Sequence, residues 1–380
     1  MYSFIPLSVP NLKGNEHKYV NEALESEWVS SGGPHINKFE DAVSNYISAA
    51  YAAACQSGTA GLHLSLTACG VGNGDEVIVP TLTFIAAVNP VRYVGAEPVF
   101  MDCDDSLCMD TKKLASFLDT QCELKGQTLF NKKTKRPIKA IIVVHVFGNM
   151  ADMETLVQLA SHYHLVVIED ATEALGTCYN SGSLKGRYAG TIGDVGVLSF
   201  NGNKIITTGG GGMVVSNNQT IVDKVRFLST QAKTDSLYFV HDEIGYNYRM
   251  TNVQAALGLG QMEQLDNFIS TKKRNYMLYQ SLGIALLPFR ADIDPNYWFY
   301  SHITDRVDTF LTSLDQYQIQ ARPVWRLIHT QKPYLGCQSW QIEKALFYEK
   351  NIINLPCSTN LTEEDVTRVA AAIKEIASMS

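Results

Sequence analysis

The sequence lacks paired cysteines, a long apolar run and a secretion signal. Its eight cysteines are scattered with no C-x-x-C pair, which favours free thiols in a reducing compartment over a disulfide framework or a metal site. The longest apolar run, AIIVVHVFG at 140–148, is too short to span a bilayer. The N-terminus, MYSFIPLSVP, has no signal-peptide pattern. We therefore expect a cytoplasmic protein with neither a metal nor a membrane partner.

Excess positive charge and the common nucleotide-binding motifs are also absent. The 380 residues have 31 basic and 38 acidic side chains, a net charge of −7, which argues against a nucleic-acid surface. No G-x-G-x-x-G follows the first strand-like run, as a nicotinamide-dependent dehydrogenase would need. The glycines at 209–212 lack the Gly-Lys-Ser/Thr of a P-loop. The length suits two domains, predicted here as residues 1–245 and 246–380.

Strand-like and helix-like segments alternate between residues 50 and 215. The strand-like runs have little polar alternation, which predicts an α/β fold: a large domain with a mostly parallel sheet, then a smaller C-terminal α+β domain. Ligands in such sheets bind beyond the carboxyl ends of the strands. The polar segment 121–137 predicts a solvated surface loop, and a helix is expected to begin near Thr251.

Several candidate site residues follow predicted strands. Residues 57–59 precede an apolar helix, whose N-terminal N–H groups favour an anion, although a plain N-cap explains them equally well. Phe84 follows the next strand and is by itself more often a core residue. Asp170 ends a buried strand, where a carboxylate must be hydrogen-bonded, paired or solvated. Ser199 and Lys204 follow a further strand.

An anion site, an aromatic ring, a buried carboxylate and a fixed lysine together describe a receptor for pyridoxal phosphate (PLP). The lysine would form a Schiff base, the carboxylate would keep the pyridinium nitrogen protonated, and the helix N-terminus would take the phosphate. A metal site at the carboxylate is the alternative, but His162 and His164 lie before the strand, at its far end.

The chain resembles the nucleotide-sugar aminotransferases of the DegT/DnrJ/EryC1/StrS family, which have the aspartate-aminotransferase-like fold (PLP fold type I). The resemblance implies PLP as cofactor, an amino-acid donor such as L-glutamate, and a homodimer with shared active sites. Any one matching motif is weak, but their order along the chain is specific. The motifs are EWVSSGGPHINKFEDAVSNY (27–46), QSGTAGLHLSL (56–66), GNGDEVIVPTLTFIAAVNPVRYVGAEPVFMD (72–102), VIEDATEALG (167–176), GDVGVLSFNGNK (193–204), GGGGMVVSNN (209–218), GYNYRMTNVQAALGLGQMEQLD (245–266) and NLPCS (354–358).

The resemblance implies a role for each matching residue. Lys204 matches the Schiff-base lysine, which is also the general base, and Asp170 matches the partner of the pyridinium nitrogen. Phe84 matches the aromatic residue that stacks on the ring. Asn247 matches the asparagine that reaches the phosphate from the neighbouring subunit. The matches to phosphate contacts are Gly58, Thr59 and Ser199.

Glu173 departs from the family pattern. Many members have Gln or His there, and that side chain donates a hydrogen bond to the cofactor's phenolate oxygen. An ionised glutamate cannot donate, so Glu173 must be protonated, turned away or acting through a water. The all-glycine run at 209–212 also lacks an acid found in many members. Some members carry His in place of Lys204 and are dehydratases, so the lysine argues for transamination.

The resemblance implies a nucleotide-linked keto sugar as the acceptor. The motifs RPVW and EDATE resemble those of family members that act in the legionaminic acid and bacillosamine pathways. This implies amino transfer to the 4-keto carbon of UDP-4-keto-6-deoxy-N-acetylglucosamine, for cell-surface polysaccharide or glycan biosynthesis. A GDP- or dTDP-linked keto sugar and a non-catalytic regulator that binds PLP or a sugar nucleotide are the alternatives. The candidate substrate-side residues, for which structural roles stay open, are Ser31, Arg249, Trp325 and His329.

Overall fold

The structure is a computed structural model that describes residues 3–235 and 237–379. Its α-helices are α1 Glu16–Glu25, α2 Pro34–Ile47, α3 Gly58–Ala68, α4 Asn89–Tyr93, α5 Thr111–Gln121, α6 Met153–His162, α7 Gln219–Ser229, α8 Asn252–Met262, α9 Leu265–Ser281, α10 Val307–Gln316, α11 Lys344–Asn351 and α12 Glu363–Ser378. Its strands are β1 Tyr51–Cys55, β2 Glu76–Pro80, β3 Glu97–Met101, β4 Cys122–Lys125, β5 Thr128–Asn131, β6 Pro137–Val144, β7 Val166–Asp170, β8 Cys178–Tyr179, β9 Val195–Ser199, β10 Gly212–Ser216, β11 Lys233–Asp235, β12 Val240–His241, β13 Ile293–Asp294, β14 Tyr300–Ile303, β15 Arg322–Pro323, β16 Ser339–Trp340 and β17 Ile352–Leu355.

A central sheet organises the molecule, with the strand order β1-β10-β9-β7-β6-β2-β3-β16. The strands from β9 to β16 pair in parallel, whereas β10 and β1 pair antiparallel at one edge. Every residue of β2, β9 and β10 is buried, which agrees with strands that lack polar alternation. The predicted α/β class with a mostly parallel sheet is confirmed.

The segment 121–137 is not the solvated loop that its composition predicts. It contains the hairpin β4–β5, and β5 extends the sheet by pairing antiparallel with β6. Its polar Asn131 is fully buried and donates from its amide to the carboxylate of Glu76, 2.7 Å away. A polar side chain is stable there because it satisfies a buried acceptor, so composition alone was misleading.

Helix α8 packs closely against the N-terminal helices. It begins after Thr251, as predicted, and Thr251 caps it; the backbone N–H of Thr251 donates in turn to the side-chain oxygen of Gln254, which completes a capping box. Small residues permit the close approach to α1 and α2. A Cβ on Gly258 would lie 2.7 Å from the Phe39 ring, and one on Gly260 would lie 2.6 Å from the backbone nitrogen of Glu16.

The C-terminal segment contains a second, three-stranded antiparallel sheet in the order β14-β17-β15. The terminal helix α12, capped by Thr362, contacts α9 and α10. The boundary between residues 245 and 246 stays a prediction. Within the described ranges, no helix is both long and apolar enough to cross a bilayer.

Candidate active site

A cavity of about 360 Å³ lies beyond the carboxyl ends of β6, β7 and β9, where the fold class predicts a ligand site. Each of these strands contributes its last residue to the lining, namely Val144, Asp170 and Ser199. Eight predicted site residues line it: Gly58, Thr59, Phe84, Asp170, Glu173, Ser199, Lys204 and Trp325.

Lys204 lies in the turn after β9, where its backbone N–H donates to the carbonyl of Asn201 at 3.0 Å. Its Nζ is 4.3 Å from the centroid of the Trp298 ring, a cation–π contact. The Trp298 indole is fixed in turn by its N–H, which donates to the Asn203 carbonyl at 2.8 Å. Sequence reasoning missed Trp298, because it comes from a distant segment with no motif around it.

Asp170 is nearly fully buried at the end of β7. Its Oδ1 accepts the backbone N–H of Thr172 at 3.1 Å. Burial raises the pKa of Asp170, and hydrogen bonds from Thr172 and the positive charge of Lys204 oppose that rise. A further cation in the cavity would therefore stabilise the ionised carboxylate.

Glu173 faces the cavity and is not turned away. Its Oε1 lies 3.6 Å from Lys204 Nζ, and its Oε2 accepts the backbone N–H of Phe147 at 2.9 Å. Phe147 has a φ of 57°, an uncommon conformation for a bulky residue. Burial raises the pKa of Glu173 to about 7, although the charge of Lys204 and the Phe147 hydrogen bond act against the rise.

The start of α3 forms an anion-binding corner. Ser57 caps the helix by accepting the backbone N–H of Ala60 at 3.0 Å, which leaves the first N–H groups at the cavity edge. Gly58 has no room for a side chain, since an added Cβ would lie 2.9 Å from Thr172 Cγ2 and 3.1 Å from Ser199 Cβ. The backbone donors and the Ser199 hydroxyl therefore converge on a narrow corner.

Aromatic residues border the cavity mouth. Phe84 is 54% exposed, and its ring lies 6.4 Å from that of Trp325. Trp325 also packs on Phe147, with ring centroids 4.7 Å apart. His329 does not line the cavity, and its Nδ1 is hydrogen-bonded with the Thr81 hydroxyl at 2.6 Å.

Three other predicted residues lie outside the cavity of their own chain. Ser31 and Asn247 are exposed. Arg249 pairs with the buried carboxylate of Glu40, with 2.6 Å between Nη1 and Oε1, and donates to the Ala54 carbonyl at 3.1 Å. These contacts give Arg249 a structural role and leave the substrate role without a supporting contact.

The sequence is similar to known proteins along almost its whole length. The sequence matches the DegT/DnrJ/EryC1/StrS aminotransferase family over residues 10–374. The chain belongs to this family. It is 40% identical to GDP-perosamine synthase from Escherichia coli O157:H7, with 98% of each chain covered. It is 36% identical to GDP-perosamine synthase from Caulobacter vibrioides, also with 98% of each covered.

A solved relative connects this family member to its cofactor. The candidate sugar aminotransferase Spr1654 from Streptococcus pneumoniae, in its PLP form, superposes with a TM-score of 0.87 at 25% identity, covering 99% of this chain and 98% of that one. The same protein is known in its pyridoxamine phosphate form. The present chain is thus a PLP-dependent sugar aminotransferase with the predicted PLP fold.

The residues present fit this cofactor. The narrow corner at Gly58 offers backbone donors and a hydroxyl, which suits a phosphate. The buried carboxylate of Asp170 suits a protonated ring nitrogen. Lys204 is the amine that lines the same cavity.

Proposed function

We propose that this enzyme transfers an amino group from L-glutamate to the 4-keto carbon of a GDP-linked 4-keto-6-deoxy sugar, giving a perosamine-type product. Relatives named GDP-perosamine synthase align over 98% of the chain. They favour a GDP-linked sugar over the UDP-linked sugar that the motif resemblance implied. The cytoplasmic location and the role in cell-surface glycan biosynthesis stay predictions.

The catalytic part of the proposal rests on the position of Lys204. Its amine lies in a cavity that is also lined by a buried carboxylate and by the N-terminus of α3. Bound PLP supplies a carbonyl that takes up the amino group and a ring that withdraws electrons from the substrate carbon. Lys204 would hold the cofactor and move the proton at the substrate carbon.

The other lining residues would contact three parts of the cofactor, namely its ring nitrogen, its ring and its phosphate. Asp170 would pair with the ring nitrogen, and Phe84 would stack on the ring. Gly58, Thr59 and Ser199 would donate to the phosphate. Trp325, at the mouth beside Phe84, is the predicted substrate-side residue that lines the cavity.

We also propose a homodimer in which Asn247 completes the partner's site. Asn247 is exposed and lies outside the cavity of its own chain, as a residue that serves another subunit would. The tip of the nearby β11–β12 hairpin exposes an apolar cluster, which suits an interface. Its exposed residues are Leu237, Tyr238, Phe239 and Val240.

The substrate is tested with purified protein, PLP and L-glutamate. Separate reactions contain GDP-4-keto-6-deoxymannose or UDP-4-keto-6-deoxy-N-acetylglucosamine, and mass spectrometry detects the amino sugar. We expect rapid amine formation from the GDP sugar. Preference for the UDP sugar would overturn the substrate proposal, and absence of amine from both would overturn the 4-keto acceptor. Lys204→Ala is the control for uncatalysed amination.

The shared site is tested by mixing two inactive variants. In a Lys204→Ala/Asn247→Ala heterodimer, one site has both intact residues only if Asn247 comes from the partner. We expect the mixture to regain activity that neither variant has alone. No gain after verified subunit exchange would contradict the shared site.

A further inference from the structure

Glu173 is held so that one of its two carboxylate oxygens is directed towards Lys204. Its Oε2 accepts the Phe147 N–H at 2.9 Å, and its Oε1 lies 3.6 Å from Lys204 Nζ. Its own carbonyl accepts from the side-chain amide of Asn296 at 2.9 Å, which fixes the backbone as well. The side chain is therefore oriented from both ends and does not depend on the ligand.

The surroundings make Lys204 the dominant charged neighbour of Glu173. The charged groups that face Glu173 are Lys204, from the turn after β9, and Asp170, from the end of β7. Phe147 and Asn296, from the turn after β6 and the C-terminal segment, contribute neutral N–H donors. Both members of the pair are shielded from water, with side-chain exposures of 4% and 12%.

We propose that Glu173 is the proton partner of Lys204 during amino transfer. The Glu173 carboxylate takes one proton from the Lys204 ammonium, which leaves a neutral amine and a neutral carboxylic acid. One N–H bond breaks, one O–H bond forms, and the net charge of the pair stays zero. The inference rests on the proposed role of Lys204, because a neutral amine is the form that can act as nucleophile and base.

The same step explains why a glutamate can occupy position 173, where many family members have Gln or His. A protonated Glu173 has the O–H donor that an ionised glutamate lacks, so it can provide the hydrogen bond that Gln or His provides in many members. Unlike Gln, it can also exchange a proton. Burial raises the pKa of Glu173 to about 7, so both protonation states are accessible near neutral pH, where a proton-transfer group is most effective.

The first test follows the carboxyl group in cofactor-free protein. Infrared difference spectra record the C=O band of a protonated, buried carboxyl group as the pH is varied. We expect a band with a midpoint near pH 7 in the wild type and its loss in Glu173→Gln. In Lys204→Ala the midpoint should rise, because the opposing positive charge is gone.

A matched control is Glu349→Gln. Glu349 also accepts a backbone N–H, from Leu327 at 3.1 Å, but does not line the cavity. This variant should keep the band of Glu173 unchanged. A midpoint that does not respond to Lys204→Ala, or a band that survives in Glu173→Gln, would overturn the pairing.

The second test measures the rate of the half-reaction with L-glutamate against pH. In the wild type the rate should fall as the pH drops below about 7, because Glu173 is then already protonated. Glu173→Gln should lose this limb and be slower by roughly 10-fold, less than the 10²–10⁴-fold effect of a group that removes the substrate proton itself. Glu349→Gln should follow the wild-type profile.

The two tests separate this inference from the proposed function. If the Glu173 midpoint depends on Lys204 but the wild type transfers no amino group, the proposed function is wrong and the pairing stands. If the wild type is active and folded Glu173→Gln has the same pH profile, Glu173 is not the proton partner of Lys204, and the proposed function stands.

Discussion

Two buried glutamates, Glu169 and Glu173, lie four residues apart in sequence and have opposite electrostatic environments. Glu169 is the fourth residue of β7 and is fully buried. Burial alone would raise its pKa, but hydrogen bonds outweigh that effect, and the pKa of Glu169 is lowered. The groups that donate to its two oxygens are His145 Nε2 and the backbone N–H groups of Gly190, Ile192 and Gly193.

Glu173 has one backbone donor and a lysine at 3.6 Å, and its pKa is raised. The difference teaches that burial does not by itself decide the charge of a carboxyl group. The fixed donors and charges around the group also contribute. Glu169 anchors the 190–193 loop to the sheet, whereas Glu173 is left with an oxygen whose proton can be exchanged.

The largest effect is expected for Lys204→Ala, which removes the charge facing Glu173 and leaves the contacts of Glu169 intact. Amino transfer should fall by at least about 10³-fold, because the cofactor anchor and the general base are lost together. Product formation measured by mass spectrometry checks this. Lys204→Arg keeps the charge without the reactive amine and should be equally inactive. Activity within tenfold of the wild type in either variant would contradict the role of Lys204.

Glu169→Gln should lower the free energy of unfolding by about 3 kcal/mol, since an amide NH₂ would replace an oxygen that faces fixed donors. Urea unfolding of cofactor-free protein measures this. Because the pKa of Glu169 is lowered in the folded state, its stabilisation is present above the unfolded value, near 4.5, and is lost at lower pH. The deficit of the variant should therefore shrink under acid conditions. A deficit that grows with acid would contradict the assignment.

The effect of Glu173→Gln on the free energy of unfolding should have the opposite pH dependence to that of Glu169→Gln. The pKa of Glu173 rises from 4.5 to about 7 on folding, so the folded state binds the proton more tightly. Wild-type stability should then decrease by about 3 kcal/mol as the pH rises through this window, and the variant should lack that decrease. Urea titrations at both ends of the window measure it in cofactor-free protein. Parallel curves for the two proteins would show that Glu173 does not titrate there.

The sequence alone was sufficient for the part of the site built by local patterns. Asp170 ends an apolar strand, Lys204 follows another, and Gly58 begins a capped helix, so parallel strand topology brings them to one edge. The helix start at Thr251 was predictable for the same reason, because the N-cap residue and the backbone N–H that it accepts are three residues apart.

The parts that could not be predicted depend on contacts between distant segments. Trp298 reaches Lys204 from the C-terminal segment, and no local pattern marks it. Phe147 adopts a positive φ that its side chain disfavours, yet this conformation accompanies the N–H donated to Glu173. The orientation of Glu173, left with three alternatives by the sequence, is therefore fixed by tertiary structure.

The smallest effect is expected for His145→Gln, which tests how much the His145 hydrogen bond contributes to stabilising the Glu169 carboxylate. The Ala151 N–H donates to His145 Nδ1 at 3.3 Å, so the ring proton lies on Nε2 and is donated to Glu169 at 2.8 Å. Glutamine can replace one of these contacts but not both, and three backbone donors to Glu169 remain. The free energy of unfolding should fall by about 1 kcal/mol, the value of one hydrogen bond. A loss as large as that of Glu169→Gln would mean that the histidine, rather than the backbone donors, stabilises the carboxylate.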